Sequence, residues 1–395
     1  MNADERRCAL ALSRMGYHNI TVLRELYNAW GSMADIVKQH AHPEQLAPNM
    51  PERLLAAFAH TDEHLKRADE EMRFAQDNNI SIITLADEAY PQRLKACFDA
   101  PLALFFKGNA NLNAKHCISI VGTRKATPYA ADCIAQLTAR LKQLCPDILI
   151  VNGLAYGVDI MAHRQAIDHA LPTVAVLAHG LDTLYPSRHR KEATLMMQNG
   201  GLLTEYFSQS KIDKRNFLQR NRIVAGMSAA TLLVESAEHG GGLVTCRLAQ
   251  SYQHDVFAFP GNINNPYSVG CNRLIRDNVA GLVTSAEDIL KALSWEEDMK
   301  ETTATNGAVS MGSSSIGSSV NSVSGAGATS ASTAKVPNGA QGVLDVLTKE
   351  NDLHIDIIAT RAGLPVNKVL ALLFQLEMSG MVSSLSGGRY HKVNS

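Results

Sequence analysis

The segment Cys117-Ile118-Ser119-Ile120-Val121-Gly122-Thr123-Arg124-Lys125 combines a short apolar run with a glycine and two basic residues. A run of this length that ends at glycine is typical of a buried strand. Similar runs recur at Ile148–Val151, Thr173–Leu177, Gly201–Glu205, Thr231–Glu235 and Asp255–Phe259. Long amphipathic stretches lie between them, such as Tyr129–Leu144 and Val158–His169. This alternation predicts an α/β domain with a doubly wound parallel sheet that is covered by helices on both faces.

The sequence on either side of this region has other patterns. Residues 1–80 carry apolar residues at helical spacing, which predicts a small helical domain of the sterile-alpha-motif or helix-hairpin-helix type. The Gly-x-Gly hairpin of the second type is missing from Met15–Asn19, so packing or assembly is favoured over DNA contact. The sheet domain is expected to span 81–298. Residues 299–338 are rich in Ser and Gly and nearly uncharged, which predicts a flexible linker.

Residues 339–395 show the order of elements found in a winged helix. Three helices are predicted at Gln341–Lys349, Ile355–Ala362 and Pro365–Met378, followed by strands at Val382–Ser384 and Arg389–Val393. The third helix carries Lys368 and Glu377 but is mostly apolar. A helix that recognises the sequence of double-stranded DNA needs several basic or amide side chains. A protein-contact or auxiliary role is favoured, and Arg389–Lys392 on the wing leaves a backbone contact open.

The overall composition excludes several classes of protein. Thirty-seven Lys and Arg against thirty-eight Asp and Glu give a net charge of −1 over 395 residues, which excludes binding of polyanions by bulk charge. No apolar run is long enough to span a membrane, and the first residues lack a signal-peptide core. Seven cysteines are scattered without a Cys-x-x-Cys pair. These features predict a cytoplasmic protein with reduced thiols, no membrane association and no metal site.

Glycine or basic residues follow five of the predicted strands. Ligands of open parallel sheets bind outside the carboxyl ends of the strands, where glycine allows close approach and helix N-termini attract anions. These segments are Val121–Lys125, Val151–Gly157, His179–Pro186, Glu235–Gly242 and Phe259–Asn262. Together they predict a phosphate-bearing ligand, although any one alone is equally well explained as a turn. No Gly-x-Gly-x-x-Gly follows the first strand and no P-loop motif occurs, which disfavours nicotinamide cofactors and ATP hydrolysis.

A basic stretch narrows the class of ligand. Between Tyr185 and Arg222 there are eight Lys or Arg and three Asp or Glu, with Tyr185, Tyr206 and Phe217 interleaved. Basic groups neutralise phosphates and aromatic rings stack on unpaired bases, so the stretch indicates single-stranded nucleic acid. The alternative is a solvated basic face with Phe217 in the core. No catalytic set is evident, since Glu235 suits a general base, an arginine partner or a helix cap equally well.

Successive motifs resemble the DNA-processing protein A (DprA/Smf) family. The matching segments are Ile120–Arg124, Asn152–Asp159, Gly180–Pro186, Arg220–Gly226, Glu235-Ser236, Gly241–Thr245, Phe259–Asn262 and Gly270–Ile275, with the lead-in Pro101–Gly108. The resemblance covers about 90–290. It implies an extended Rossmann-like DNA-binding domain that binds single-stranded DNA without catalysis, metal or cofactor. It also implies a homodimer that loads the recombinase RecA onto DNA during natural transformation.

The resemblance also implies roles for individual residues. Arg124 would clamp a phosphate with the N–H groups of Gly122 and Thr123 and the Gly153 loop, while Lys214 and Phe217 would grip the strand and pack a base. Arg188 falls where the family keeps a basic residue. Arg220 and Arg222 contact DNA or, alternatively, pair with Glu235 beneath the crevice. The full expected DNA-contacting set is Gly122, Thr123, Arg124, Asn152, Gly153, Tyr156, Arg188, Lys214, Phe217, Arg220, Arg222, Gly240, Gly241, Gly242 and Thr245.

Two positions depart from the family pattern. Tyr156 replaces the usual Arg of Gly-Leu-Ala-Arg-Gly-Ile-Asp, which removes a phosphate donor or substitutes a stacking ring. His239-Gly240-Gly241-Gly242 replaces Lys/Arg-Ser-Gly-Ser/Thr, which exchanges hydroxyl donors for bare backbone and introduces a titratable histidine. The alternative function is nucleotide binding, sensing or N-glycoside hydrolysis by a Rossmann-like protein. The motif of such hydrolases, Pro-Gly-Gly-x-Gly-Thr followed by a catalytic Glu, is missing from this sequence. A scaffold with a vestigial pocket that only contacts RecA is a third possibility.

Overall fold

The computed structural model describes residues 3–17, 19–47, 50–296, 339–385 and 388–393. The segment expected to be a linker, 299–338, lies outside these ranges. The described residues fall into two compact units, one within 1–302 and the other within 303–395. None of the helices in the described part of the chain is both long enough and apolar enough to cross a bilayer.

The first unit is built on a nine-stranded sheet. Its strands are β1 (Ser81–Thr84), β2 (Ala103–Gly108), β3 (Cys117–Val121), β4 (Leu149–Asn152), β5 (Thr173–Val176), β6 (Gly200–Thr204), β7 (Ala230–Leu233), β8 (Asp255–Ala258) and β9 (Gly281–Leu282). They lie in the order β1-β2-β6-β5-β4-β3-β7-β8-β9. Strands β3 to β9 are parallel, whereas β2 pairs antiparallel with both β6 and β1. The predicted doubly wound sheet is confirmed and extended by an antiparallel pair.

Thirteen described helices belong to the same unit. Five lie before the sheet: α1 (Ala3–Met15), α2 (Ile20–Trp30), α3 (Met33–Lys38), α4 (Glu52–Phe58) and α5 (Thr61–Asp77). The others are α6 (Gln92–Ala96), α7 (Pro128–Leu144), α8 (Val158–Asp168), α9 (Arg190–Met196), α10 (Lys214–Met227), α11 (Gly241–Ser251), α12 (Val269–Arg276) and α13 (Ala286–Ala292). Helices α1–α5 share a hydrophobic core with one face of the sheet. This shared core does not mark a boundary at residue 80, so the expected domain boundary there stays a prediction.

Alternation along each central strand sends side chains into two separate cores. Ile118 and Ile120 of β3 pack with α7 and α8, whereas Val121 and Val151 join the core that includes the N-terminal helices. Because both faces are covered, the strands contain apolar residues at nearly every position. This double burial explains why the predicted strand bounds agree with the structure to within one or two residues.

The second unit is a small domain of three helices and a three-stranded sheet. Its helices are α14 (Gln341–Lys349), α15 (Ile355–Ala362) and α16 (Val366–Met378), and its strands are β10 (Leu353–His354), β11 (Val382–Leu385) and β12 (Arg389–Lys392). The strands lie in the order β10-β12-β11. This arrangement confirms the predicted winged helix and adds the short strand β10. Along α16, Val366, Leu370 and Phe374 are 45%, 51% and 63% exposed, so its outward face is apolar as the sequence indicates.

Candidate nucleic-acid interface

A cavity of about 300 Å³ opens at the carboxyl end of β3, between the loops that follow β3, β4 and β7. Strands β4, β5 and β6 extend the sheet on one side of β3, and β7, β8 and β9 extend it on the other. The chain therefore reverses its winding direction between β3 and β7, and the adjacent loops lead away to opposite faces. Such a switch point leaves a crevice where ligands of open α/β sheets bind.

The cavity brings together most of the residues expected to contact DNA. Ten of the fifteen line it: Gly122, Thr123, Arg124, Gly153, Phe217, Arg220, Gly240, Gly241, Gly242 and Thr245. The exposed His239 also lies on its wall, next to the glycine run at the start of α11. These residues come from four separate parts of the sequence. The fold therefore concentrates glycine backbone, two guanidinium groups and one aromatic ring around a single opening.

Arg124 and Phe217 form the outer part of the cavity. The guanidinium carbon of the exposed Arg124 lies over the Phe217 ring, 5.9 Å from its centroid. On another side, Phe217 meets the Tyr185 ring at 5.7 Å and a near-perpendicular angle of 67°. Phe217 is half-buried and part of its ring borders the cavity. A positive charge and an aromatic face thus stand side by side at the opening.

The loop after β3 is held by its own backbone contacts. The Thr123 N–H donates to the Glu235 carbonyl at 2.8 Å, and the Thr123 carbonyl accepts from Val158 N–H at 3.2 Å. The Thr123 hydroxyl accepts from Lys125 N–H at 3.1 Å. The Thr123 N–H that the family resemblance assigns to a phosphate is therefore used within the protein. Thr123 shapes the turn that presents Arg124.

Gly157 is required where α8 begins beside this turn. Its φ is +76°, a region that favours glycine, and a Cβ there would lie 2.2 Å from the Thr123 carbonyl oxygen. The loops after β3 and β4 can therefore approach each other closely. This contact places the start of α8 against the cavity.

Arg220 and Asp159 lie at the inner end of the cavity. Arg220 is 5% exposed and its Nη1 donates to the Val176 carbonyl at 2.6 Å, while its Nε has no partner in the described part of the chain. Burial lowers the pKa of Arg220, and the nearby Asp159 opposes that shift. Asp159 accepts from Ala155 N–H at 3.3 Å, and burial raises its pKa against the charge of Arg220. At the inner end of the cavity, the buried guanidinium of Arg220 therefore keeps spare donor capacity beside the half-buried Asp159.

The alternative in which Arg220 and Arg222 pair with Glu235 is wrong. Arg222 forms a buried ion pair with Glu205 and also donates to the Asp99 carbonyl. Glu235 instead accepts from the N–H of Thr127 at 2.9 Å and from its hydroxyl at 2.6 Å. Thr127 is the N-cap of α7, so Glu235 satisfies the start of that helix. The helix-cap interpretation of Glu235 agrees with these contacts.

Five expected residues do not line the cavity. Asn152 is fully buried and accepts from Ile120 N–H at 2.7 Å, which ties β4 to β3, and Arg222 is equally inaccessible. Tyr156, Arg188 and Lys214 are exposed outside it. The 43%-exposed Tyr156 ring stands nearly perpendicular to His189, with centroids 4.9 Å apart. Of these five, only the exposed three remain available to a ligand that extends beyond the cavity.

Several residues on the cavity wall were not predicted. Asp159, Leu218, Asn221 and Ser236 all border it. Asp159 belongs to a motif already noted, but nothing in the motif indicates that it borders the cavity close to the buried Arg220. Thr245, which was expected, borders the cavity while its hydroxyl donates to the Gly241 carbonyl at 3.2 Å. Within the described ranges, no three His, Cys, Asp or Glu side chains come together in a way that would hold a metal ion.

Comparison with known proteins assigns the family. Residues 81–294 match the family described as DNA recombination-mediator protein A, and residues 327–388 match the DprA winged helix domain. Protein Smf of Escherichia coli (strain K12) is 32% identical over 328 residues, which cover 82% of this chain and 80% of that protein. DNA processing protein DprA of Bacillus subtilis (strain 168) is 34% identical over 252 residues, or 63% of this chain and 77% of that protein. The X-ray structure of DNA processing protein A from Streptococcus pneumoniae aligns with a TM-score of 0.61 at 29% identity, covering 71% of this chain and 95% of that chain. The chain belongs to the DNA recombination-mediator protein A family.

Proposed function

We propose that this protein binds single-stranded DNA at the cavity between β3 and β7, without cleaving it. The observation that carries this proposal is the placement of the Arg124 guanidinium 5.9 Å over the Phe217 ring at the cavity opening. An unpaired strand alternates phosphates with bases whose faces are free to stack. A cation next to an aromatic face matches that alternation, and neither contact depends on base identity.

The size and shape of the cavity favour an unpaired base over a base pair. Its volume of about 300 Å³ is small, and Phe217 borders it with only part of its ring. A base in a duplex is already stacked on both faces and cannot present one to Phe217. Single strands are therefore expected to bind far more tightly than duplexes of the same sequence.

The carboxyl groups near the cavity bear on whether the protein is an enzyme. Glu235 is engaged by Thr127 through both carboxylate oxygens and is 1% exposed, so it is not free to act on a ligand. Asp159 borders the cavity, and burial raises its pKa, which is a property that a general acid requires. This carboxyl group favours nucleotide hydrolysis as a second candidate function. Incubation with nucleoside monophosphates, with detection of the released base, tests this second function. Release of more than one base per protein molecule would contradict the non-catalytic proposal.

We further propose that the protein acts as a homodimer that loads the RecA recombinase onto the bound strand during natural transformation. Its support is the family, which is described as a mediator of recombination. RecA-dependent strand exchange, measured with DNA precoated by single-strand-binding protein, is expected to start sooner when this protein is present. An unchanged lag would contradict the loading role and leave DNA binding intact.

The Arg124→Ala variant tests the DNA-binding site. Removing one phosphate contact is expected to weaken binding to all single-strand sequences alike and to reduce the slope of log K against log salt by about 0.7. Fluorescence anisotropy with a homopolymer and a mixed-sequence oligonucleotide across a salt series measures both quantities. Lys142→Ala is the matched control. Lys142 lies in the last turn of α7, which starts near the cavity and runs back towards the amino end of β4. Equal behaviour of the two variants would contradict the assignment of Arg124.

A further inference from the structure

A second cavity of about 400 Å³ lies beside the loop that joins β5 to α9. Lys107 from β2, Arg190 from the start of α9 and the loop residues Thr183 and Ser187 contribute to its wall. The same loop carries Tyr185, whose ring packs on Phe217 at 5.7 Å. One loop therefore contacts Phe217, a residue of the first cavity, through Tyr185, and borders the second cavity through the neighbours of Tyr185.

Four donor groups in this second cavity have no hydrogen-bond partner within the described ranges. They are the Lys107 ammonium, the Arg190 guanidinium and the hydroxyls of Thr183 and Ser187. Elsewhere in this unit, arginines such as Arg67, Arg164 and Arg222 are paired with carboxylates. Two cations and two hydroxyls around one cavity form a set of donors that suits a phosphate group.

One acidic group shares the cavity. Asp182 borders it, and its Oδ2 already accepts from Gln209 N–H at 2.9 Å. With Lys107 and Arg190 lining the same cavity, the net charge of its lining side chains remains positive. The carboxylate is thus held by backbone while both cations stay available to a ligand.

Apolar side chains also line the second cavity. Leu184, Met197 and Leu202 contribute to it, and Leu202 is 8% exposed. A phosphate ion alone would leave this surface uncovered. A nucleotide offers both parts that the cavity would contact, a phosphate for the cations and a flat ring for the apolar residues.

We propose that this cavity is a second nucleotide-binding site, which takes a phosphate and base of the same DNA strand after the strand leaves the cavity at Arg124. This inference rests on the proposed function. The strand would pass over the loop at Tyr185, with Arg188 exposed beside its path. A free nucleotide presents the same phosphate chemistry, so the experiment must separate the two sources.

The test compares oligonucleotides of two lengths. The variant Lys107→Gln with Arg190→Gln is measured by anisotropy on thymidine oligomers of about 4 and about 16 nucleotides. Affinity for the short oligomer is expected to stay unchanged, because it fills the first cavity alone. For the long oligomer the salt slope should fall by roughly 1 to 1.5, as expected for two lost contacts to a single strand.

Controls keep the result tied to the second cavity. Lys142→Gln with Arg276→Gln removes the same charge from the last turns of α7 and α12 and should leave both lengths unaffected. An equal loss on both oligomers, or no loss on either, would overturn the inference. Binding of a mononucleotide that the double variant loses, with long-oligomer binding unchanged, would overturn the strand as the source of the phosphate.

Two outcomes separate this inference from the proposed function. If the unaltered protein binds neither oligomer, the proposed function fails. If it binds both and responds to Arg124→Ala, but the double variant behaves like the control, only the second site fails. Unfolding midpoints of all variants check that the half-buried Lys107 can be replaced without loss of the fold.

Discussion

The Arg220 guanidinium occupies the space that a side chain on Gly153 would need. An ideal Cβ built on Gly153 would lie 1.9 Å from Nη1, 2.3 Å from Nη2 and 2.4 Å from Cζ of Arg220. The guanidinium has little freedom to move away, since Arg220 is 5% exposed and bonded to the Val176 carbonyl. Glycine at 153 is therefore a condition for the buried cation at the inner end of the cavity.

Gly153→Ala is expected to reduce both stability and DNA affinity. Overpacking at a buried site costs about 1–3 kcal/mol, and the displaced guanidinium would no longer face the ligand. Urea unfolding and anisotropy measure the two effects. Gly241→Ala is the matched control: it borders the same cavity, but its Cβ would meet nothing within 4 Å. If both alanine variants behaved alike, the link between Gly153 and Arg220 would be refuted.

The central strands were predictable because both sheet faces are buried and nearly every strand position is apolar. Strand β9 was missed because it has two residues and Leu282 is 54% exposed, so it lacks that signal. Strands β1 and β2 were missed because they add to the sheet edge in the antiparallel direction. The run Pro101–Gly108 was recognised as part of a family motif, but its pairing with β6 depends on contacts about a hundred residues away.

The sequence predicted which loops line the cavity, but not how those loops are arranged in space. Motifs identified the loops after β3, β4 and β7, yet the position of the switch point depends on strand order, which local sequence does not encode. Arg220 and Arg222 illustrate the limit. Two residues apart on a helix, their side chains diverge by about 200°, so one faces the cavity and the other faces Glu205. Sequence alone does not say which one faces the ligand.

Arg222→Ala is expected to destabilise the fold and leave DNA contact intact. It would remove the partner of a buried carboxylate, Glu205, whose Oε1 already lacks a hydrogen bond in the described part of the chain. Breaking a buried pair in this way costs about 3–5 kcal/mol. Urea unfolding should show the loss, while anisotropy corrected for the folded fraction should match the unaltered protein. If the variant bound DNA more weakly but kept normal stability, Arg222 would have to be assigned a contact with DNA.

Stability is expected to fall as pH drops from about 6.5 towards 4 because of His163. Its Nε2–H donates to the Gly153 carbonyl at 2.8 Å, and its Nδ1 lies 2.7 Å from the hydroxyl oxygen of Thr173, which in turn donates to the Ile150 carbonyl at 3.0 Å. Burial lowers the pKa of His163 to about 4 from its usual 6.5. Between these values the unfolded chain binds a proton that the folded chain does not, so acid favours unfolding.

The size and origin of this effect are measurable. The shift corresponds to roughly 3 kcal/mol once the pH lies below both values. Urea unfolding of the unaltered protein and of His163→Gln at a series of pH values gives a difference curve that isolates this residue. The curve should be flat above pH 6.5 and slope below it. Parallel curves throughout would show that His163 does not titrate as its burial indicates.

Tyr156 is expected to stack on a base outside the cavity, at the position where the family resemblance implies an arginine. Its ring is 43% exposed and meets His189 edge to face, with centroids 4.9 Å apart; His189 is 3% exposed and its Nδ1 donates to the Leu154 carbonyl at 3.1 Å. A fixed neighbour limits the rotation of the ring, so little entropy is lost when a base covers it. Replacing it by alanine should cost about 1 kcal/mol or more, in the range of a single base–aromatic contact.

Three replacements of Tyr156 distinguish stacking from other contributions. Tyr156→Phe keeps the ring and should retain affinity, whereas Tyr156→Ala should lose roughly fivefold or more. Tyr156→Arg exchanges the ring for a charge and should raise the salt slope by about 0.7 while changing affinity little at low salt. A 2-aminopurine base placed along the oligonucleotide reports stacking directly, because its fluorescence is quenched against an aromatic ring. Stacking has no part in binding if the phenylalanine and alanine variants lose affinity equally, since the hydroxyl group would then account for the whole effect.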